Sequence, residues 1–340
     1  MSELNYLEKL LDGTEVEWKA LGDVTSVLRG KRLTKNLLSA EEKFPVFHGG
    51  LEPLGYYNKS NRPANTVMII NVGASAGTVG YSTVDFWSSD GCFCLEHNEL
   101  LNNRFLYFAL IGYQSLLKSK VRVAGIPTLD AIVVNKLLIP IPCPENPEKS
   151  LAIQSEIVRI LDKFTALTAE LTAELNMRKK QYNYYRDQLL SFKEGEVEWK
   201  TLGEVAVIGT GNHDTQDAIE HGKYIFYARG REPLKLNVFD FDETAIITAG
   251  DGAGVGKVFH YAKGKYALHQ RAYRIVPNAF MNPRFVYHYI TAYFFTYIQK
   301  ASVSSSVTSL RRPMFLKFPI PVPPSEEQAR IVEILDKFDT

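Results

Sequence analysis

Glu15-Val-Glu-Trp-Lys-Ala-Leu-Gly-Asp-Val24 returns, nearly unchanged, as Glu196-Val-Glu-Trp-Lys-Thr-Leu-Gly-Glu-Val205. A second block, Ile157-Val-Arg-Ile-Leu-Asp-Lys-Phe164, returns as Ile331-Val-Glu-Ile-Leu-Asp-Lys-Phe338. The offsets are 181 and 174 residues, so two copies of one unit differ by a few residues of loop. Between these constant blocks the copies diverge. A repeat this long describes two domains, since solenoid periods run to about 20–50 residues. The pattern is that of one scaffold holding two different inserts.

A chain of 340 residues gives each copy enough length to bury its own core. Hydrophobic residues are 45% and charged residues 23%, the balance of a soluble globular protein. No apolar run reaches the roughly 18 residues of a membrane span. Met1-Ser-Glu-Leu-Asn5 lacks the basic region and apolar core of a signal peptide, so a cytoplasmic location is expected. Cys92, Cys94 and Cys143 fit no metal spacing and no disulfide framework; the first two share a strand face and read as small buried hydrophobes. Net charge of +1 neither requires nor excludes a nucleic-acid partner. Basic clusters occur at Arg29, Lys31, Arg32 and Lys35, at Lys118, Lys120 and Arg122, and at Arg311, Arg312 and Lys317; each reads equally well as solvated loop.

The first variable segment, about 25 to 138, reads as strands at Phe44–Phe47, Val67–Asn71 and Cys92–Leu95, broken by glycine and asparagine turns. A helix is predicted over Asn103–Ser119 with Phe105, Phe108, Ile111 and Leu116 on one side. The second segment, about 206 to 317, repeats that order: Ala245–Ile247, a glycine turn, a strand near Ala272–Val276, and an aromatic helix over Pro283–Gln299. Ile139-Pro-Ile-Pro-Cys-Pro144 and Phe318-Pro-Ile-Pro-Val-Pro323 close the copies and read as extended polyproline struts. Leu151 to Phe192 then runs 42 residues without Gly or Pro. As a helix that is roughly 63 Å. Ile157, Ile160, Phe164, Leu167 and Leu171 form a coiled-coil seam, which slips by four residues and resumes at Leu175, Tyr182, Tyr185, Leu189 and Phe192. The slip is a stutter at the tandem Thr168-Ala-Glu-Leu and Thr172-Ala-Glu-Leu. Trp18 and Trp199 read first as core or hinge packing, and second as docking points.

Chemistry-bearing motifs are scarce. Gly250-Asp-Gly-Ala-Gly-Val-Gly-Lys257 would need Gly at 251 and Ser or Thr at 258 to be a P-loop, and holds Asp251 and Val258. The dinucleotide pattern fails at Val255. Its counterpart Gly73-Ala-Ser-Ala-Gly-Thr-Val-Gly80 does no better; the plain reading of both is a tight turn joining strands, the functional one a turn whose backbone approaches a ligand. Seven histidines show no i, i+4 pairing, and His260 and His269 are expected to titrate in water or cap loops. No catalytic, metal or cofactor constellation emerges, which points to a recognition protein.

The paired Glu-Val-Glu-Trp-Lys entries, Pro-x-Pro exits and Ile-Leu-Asp-Lys-Phe helices together resemble the specificity subunit (HsdS) of type I restriction–modification systems. The tandem Thr-Ala-Glu-Leu looks like the IC class. The resemblance spans essentially the whole chain. It implies an α+β architecture: two globular mixed α/β target-recognition domains related by an internal repeat, joined by a long coiled-coil spacer helix. The expected division is 1–150 and 193–324 for the domains, 151–192 for the spacer and 325–340 for the start of a second helix. Each domain would read half of a split double-stranded DNA target, the helices would set the gap, and methylation and cleavage would belong to partner subunits (two HsdM, and HsdR through the complex), with no cofactor. Candidate DNA contacts are Lys31, Arg32, His48, Asn71, Ser75, Thr78, Asp90 and Thr128 in the first domain. In the second they are His213, Asp251, Lys257, His269, Gln270, Arg271, Thr308, Arg311 and Arg312. Gln270 suits adenine, Arg271 guanine and Asp90 cytosine, while the lysines and the Arg311–Arg312 pair suit phosphates. Relatives of full length continue the second helix, so an end at Thr340 is expected to leave the seam of the first uncovered, inviting a self-dimer or coverage by HsdM. Two other classes stay open: a coiled-coil scaffold with two protein-binding domains, and a nucleotide-dependent enzyme using Gly250–Lys257.

Overall fold

The computed structural model describes residues 13–193, 195–301 and 309–338, and divides into two compact units between Leu171 and Thr172. In the first unit the constant block forms β1 (Val16–Ala20) and the one-turn helix α1 (Leu21–Val24). The variable segment supplies β2 (Val27–Arg29), β3 (Phe44–Phe47), β4 (Gly55–Tyr57), β5 (Thr66–Ile70), β6 (Val79–Ser82), β7 (Trp87–Ser88) and β8 (Cys92–Leu95). Three helices follow, α2 (Asn103–Gly112), α3 (Gln114–Ser119) and α4 (Ala131–Asn135), then β9 (Leu138–Pro142). Strands β2-β8-β5-β6 make one sheet and β4-β3-β7 another. Val67, Ile69, Leu106, Leu110 and Leu117 fill the core on one face of the first sheet; Met68, Ile70, Cys92 and Cys94 fill the other. Burial of both cysteines agrees with the strand alternation.

One expectation fails here and another is refined. The helix over 103–119 breaks at Tyr113, whose hydroxyl donates to the Leu138 carbonyl. The break rephases the buried face to Phe105, Leu106, Leu110 and Leu117, leaving Ile111 and Leu116 exposed. The proline ladder is extended, as expected, but the strand partner it has was not foreseen. β9 pairs antiparallel with β1, Val16 opposite Pro142 and Ala20 opposite Leu138. Prolines at alternate positions put every missing N–H on one edge, so the other edge keeps its donors for β1.

Helix α5 (Pro147–Leu189, 43 residues, about 65 Å) crosses the boundary between the units. It starts earlier than Leu151 because proline is tolerated in a first turn. Phe164, Leu167, Leu171 and Leu175 on its seam are half exposed, at 58, 49, 55 and 52%.

The second unit repeats the plan with β10 (Glu198–Thr201), α6 (Leu202–Val205), β11 (Ala206–Thr210), β12 (Tyr224–Tyr227), β13 (Leu234–Leu236), β14 (Phe241–Ala249), β15 (Phe259–Leu268) and β16 (Ala272–Pro277). It ends with α7 (Pro283–Ala301), α8 (Arg312–Leu316), β17 (Pro319–Val322) and α9 (Ser325–Asp336). The order β11-β16-β14-β15-β12-β13 is one six-stranded sheet, and β10 pairs with β17 as β1 does with β9. Here β15 runs unbroken and pairs in parallel with β12. In the first unit the same path is split into β6 and β7, because Ser82 Oγ donates to Val84 O and Asp85 accepts from the Ala64 N–H, drawing 82–86 off the ladder.

Each unit also repeats one joint between its sheet-capping helix and its constant helix. Asn102 caps α2 by accepting from the Arg104 and Phe105 amides, and Asn282 caps α7 by accepting from those of Arg284 and Phe285. Buried Gln154 accepts from Asn102 N and donates to Leu100 O; buried Gln328 accepts from Asn282 N and donates to Phe280 O. Arg104 pairs with Asp162, and Arg284 with Asp336. Trp18 and Trp199 are 56 and 45% exposed. The core reading of both is thus corrected: a two-stranded ribbon has two faces, and Ile139 and Ile320, not the tryptophans, take the inner one.

Candidate nucleic-acid interface

The variable loops converge at one end of each sheet, and backbone hydrogen bonds fix how. In the first unit the Asn71 amide donates to Gly91 O, Leu129 N to Asn71 O, and Ser89 N to Phe47 O. The second unit forms the same bonds, from Gly250 to Arg271, Leu310 to Gly250 and His269 to Tyr227. The isolated bridge Val72–Thr128 has its counterpart in Asp251–Ser309. The glycine turns match as well. Gly77 and Gly256 both have positive φ and lie where a Cβ would meet a helix, the first 2.8 Å from Lys118 N and the second 2.5 Å from Ile298 Cδ1. These turns lock against helices, and their glycines answer to packing.

The two loop clusters therefore share a backbone and differ in side chains. Position 90 is Asp in the first and corresponds to Gln270 in the second; Gly91 corresponds to Arg271, Val72 to Asp251, and Gly49 to Arg229. In the first cluster Lys31 and Arg32 are exposed, Trp87 Nε1 donates to Lys31 O, and His48 Nδ1 lies 3.3 Å from Asp90. Thr128 bridges to Arg122, whose guanidinium grips Asp130 with two contacts of 3.0 Å. Ser75 and Thr78 sit on the glycine turn, half-buried, and are tied into it by Thr78 N donating to Ser75 O. Asn71 is only 2% exposed, which removes its side chain from the surface.

In the second cluster Asp251 accepts from Arg229 Nη1 at 2.9 Å and from Arg271 Nη1 at 3.0 Å. Burial alone would raise its carboxyl, but those hydrogen bonds outweigh it and hold it below the usual carboxylate range. Gln270 donates to Asp214, and His213 Nε2 lies 3.0 Å from Asp240. His269 is 2% exposed and accepts from the Arg271 amide. It caps the loop, as one expectation had it, but does not titrate in water: burial pushes its pKa down. Lys257 is exposed over the Phe295 ring, 4.9 Å from the centroid, and with Arg229, Arg231 and Asp251 lines an open cleft of about 680 Å³. Arg311 and Arg312 are exposed beside Leu310, and Thr308 lies outside the described residues. Sequence reading missed Arg229, Arg231 and Asp214. Among the described residues no group of three or more His, Cys, Asp or Glu is arranged to hold a metal, and no helix is long and apolar enough to cross a membrane.

Two heads of one fold with different loop chemistry define a recognition protein. The family model of the type I restriction modification DNA specificity domain matches residues 14–178 and again 194–340, and the chain belongs to that family. The specificity subunit of the Escherichia coli type I restriction enzyme EcoR124I/EcoR124II is 38% identical, over the whole of this chain and 91% of its own length. That of EcoprrI, also from Escherichia coli, is 36% identical, over the whole chain and 92% of its length. A crystal structure of the type I restriction–modification S subunit from M. genitalium superposes with a TM-score of 0.71 at 21% identity, covering 96% of this chain and 91% of that one, and so shares the fold. The chain is a type I specificity subunit with two target-recognition domains; the scaffold and nucleotide-enzyme alternatives receive no such support.

Proposed function

We propose that each head reads one half of a split double-stranded DNA target and that α5 sets the unread gap. The carrying observation is the pair of loop clusters with matched backbones and unmatched side chains, the arrangement expected when one scaffold must read two sequences. Heads of 1–150 and 193–324, a spacer of 151–192 and a docking segment of 325–340 complete the division. Lys31, Arg32, Arg311 and Arg312 hold phosphates, which position without specifying. Asp90, Thr128, Gln270 and Arg271 face base edges. The chain itself is non-catalytic and works in the cytoplasm. Methylation and cleavage come from methyltransferase subunits, two per complex, and from restriction subunits, and the exposed seam of α5 offers the methyltransferase an apolar surface.

The test is selection from a random duplex pool by the chain assembled with its methylating partner, at about 150 mM salt, where non-specific phosphate binding is weakened. The expected product is a motif of two short half-sites with a constant gap. Salt-sensitive retention with no motif overturns the reading.

A further inference from the structure

Three positions separate the heads most sharply. Gly49, Val72 and Gly91 in the first become Arg229, Asp251 and Arg271 in the second. An arginine–aspartate–arginine cluster is ordinarily credited with holding its loops in place. Here the first head supplies the control, because the same loops close through the same backbone bonds with no side-chain charge at any of the three positions. The backbone bonds that close these loops thus form in the first head without such a cluster. The cluster is also accessible, Arg271 being 64% and Arg229 40% exposed, with Asp251 tucked beneath them at 24%.

Geometry shows what remains on offer. Each arginine spends only Nη1 on Asp251, one on Oδ1 and the other on Oδ2. The Nε–Nη2 edge of each, two parallel N–H donors, makes no hydrogen bond among the described residues and matches the O6 and N7 acceptors of guanine in the major groove. Because both are held by one carboxylate, the two guanidiniums are brought to the same small patch of surface, where each can meet one of two successive base pairs, which stack about 3.4 Å apart. Fixing them beforehand lowers the entropy lost on binding.

We propose that Arg229, Asp251 and Arg271 form one reading element for guanines at neighbouring base pairs of the second half-site, with Asp251 a positioning residue that touches no base. This rests on the split-target reading above. It reassigns Asp251 from the candidate contacts and adds Arg229 to them.

The experiment repeats the duplex selection with complexes carrying Arg271→Ala, Arg229→Ala or Asp251→Asn. In each, guanine preference at one or two adjacent positions of one half-site is expected to fall about ten-fold or more, given the usual discrimination of a bidentate arginine–guanine pair. The other half-site and the gap should be unchanged. Asp251→Asn keeps the shape and removes the charge, so it should relax the same positions as the arginine variants while leaving the salt slope of binding as it was. Thermal melts of the purified chains should coincide with that of the parent. Uniform weakening with an unaltered motif makes the arginines phosphate contacts and overturns the proposal, as does a lowered melting temperature in the arginine variants, which makes the cluster structural. If the parent complex yields no split motif, it is the broader reading that fails.

Discussion

Gln154 and Gln328 show how much one buried polar side chain can decide. Each is enclosed, and its amide answers both a helix-start N–H and a loop carbonyl. Truncating one leaves those groups buried without partners, each costing about 1–3 kcal/mol. Gln328→Ala is therefore expected to destabilise the second head by roughly 2–4 kcal/mol in a urea melt; a change near zero would mean water replaces the amide. Asp336 adds a pH dependence. Burial raises its carboxyl, but hydrogen bonds from Arg284 and His288 prevail and lower it. A depressed folded-state pKa stabilises above the unfolded value, about 3.9, and that stabilisation is lost as pH falls through the folded value. The second head should thus weaken below about pH 4, and Asp336→Asn should flatten that part of the profile. At this scale the sequence was least legible. Arg229 carries no spacing signal in a loop, and only the backbone register shared by the two heads sets it opposite Gly49. Trp18 was misread because its apolar area suggested a core, whereas its strand has an outer face.

Elements were easier to read, and failures there have local causes. Periodicity places the strands at Phe44, Cys92 and Ala272 within a residue or so, but it cannot foresee a tyrosine hydroxyl breaking a helix at residue 113. It also gives proline-rich β9 no visible partner, since β1 lies more than a hundred residues away. The glycine turn allows a sharper test. Gly256→Ala adds a Cβ 2.5 Å from Ile298 at φ +66, strain from sterics and backbone together. A loss of about 2 kcal/mol or more is expected in the melt of the second head. For α5 the tandem tetrads predict a geometric effect. One further Thr-Ala-Glu-Leu lengthens the helix by about 6 Å and turns it by about 40°. Duplex selection with that variant should return the same half-sites with the gap wider by about two base pairs, at 3.4 Å each. An unchanged gap would show that something other than α5 measures it.

At the scale of the whole molecule, the repeat makes the constant blocks a common mount. β1 with β9 and β10 with β17 close their heads by the same antiparallel ribbon, and Leu21 N donates to Leu137 O as Leu202 N does to Phe318 O. Both variable segments thus enter and leave through equivalent residues. It follows that residues 206–317 should be accepted in place of 25–138. The exchanged chain would carry one reading surface twice, and selection by its complex should return two copies of a single half-site across the parent gap. Affinity should stay within about ten-fold of the parent, because each head brings its own basic pair, Lys31 with Arg32 or Arg311 with Arg312, to the phosphates. Retention of the original first half-site would place part of the reading in the constant frame. Loss of binding with an intact melt would mean that the loops of one head are tuned to the register of the other.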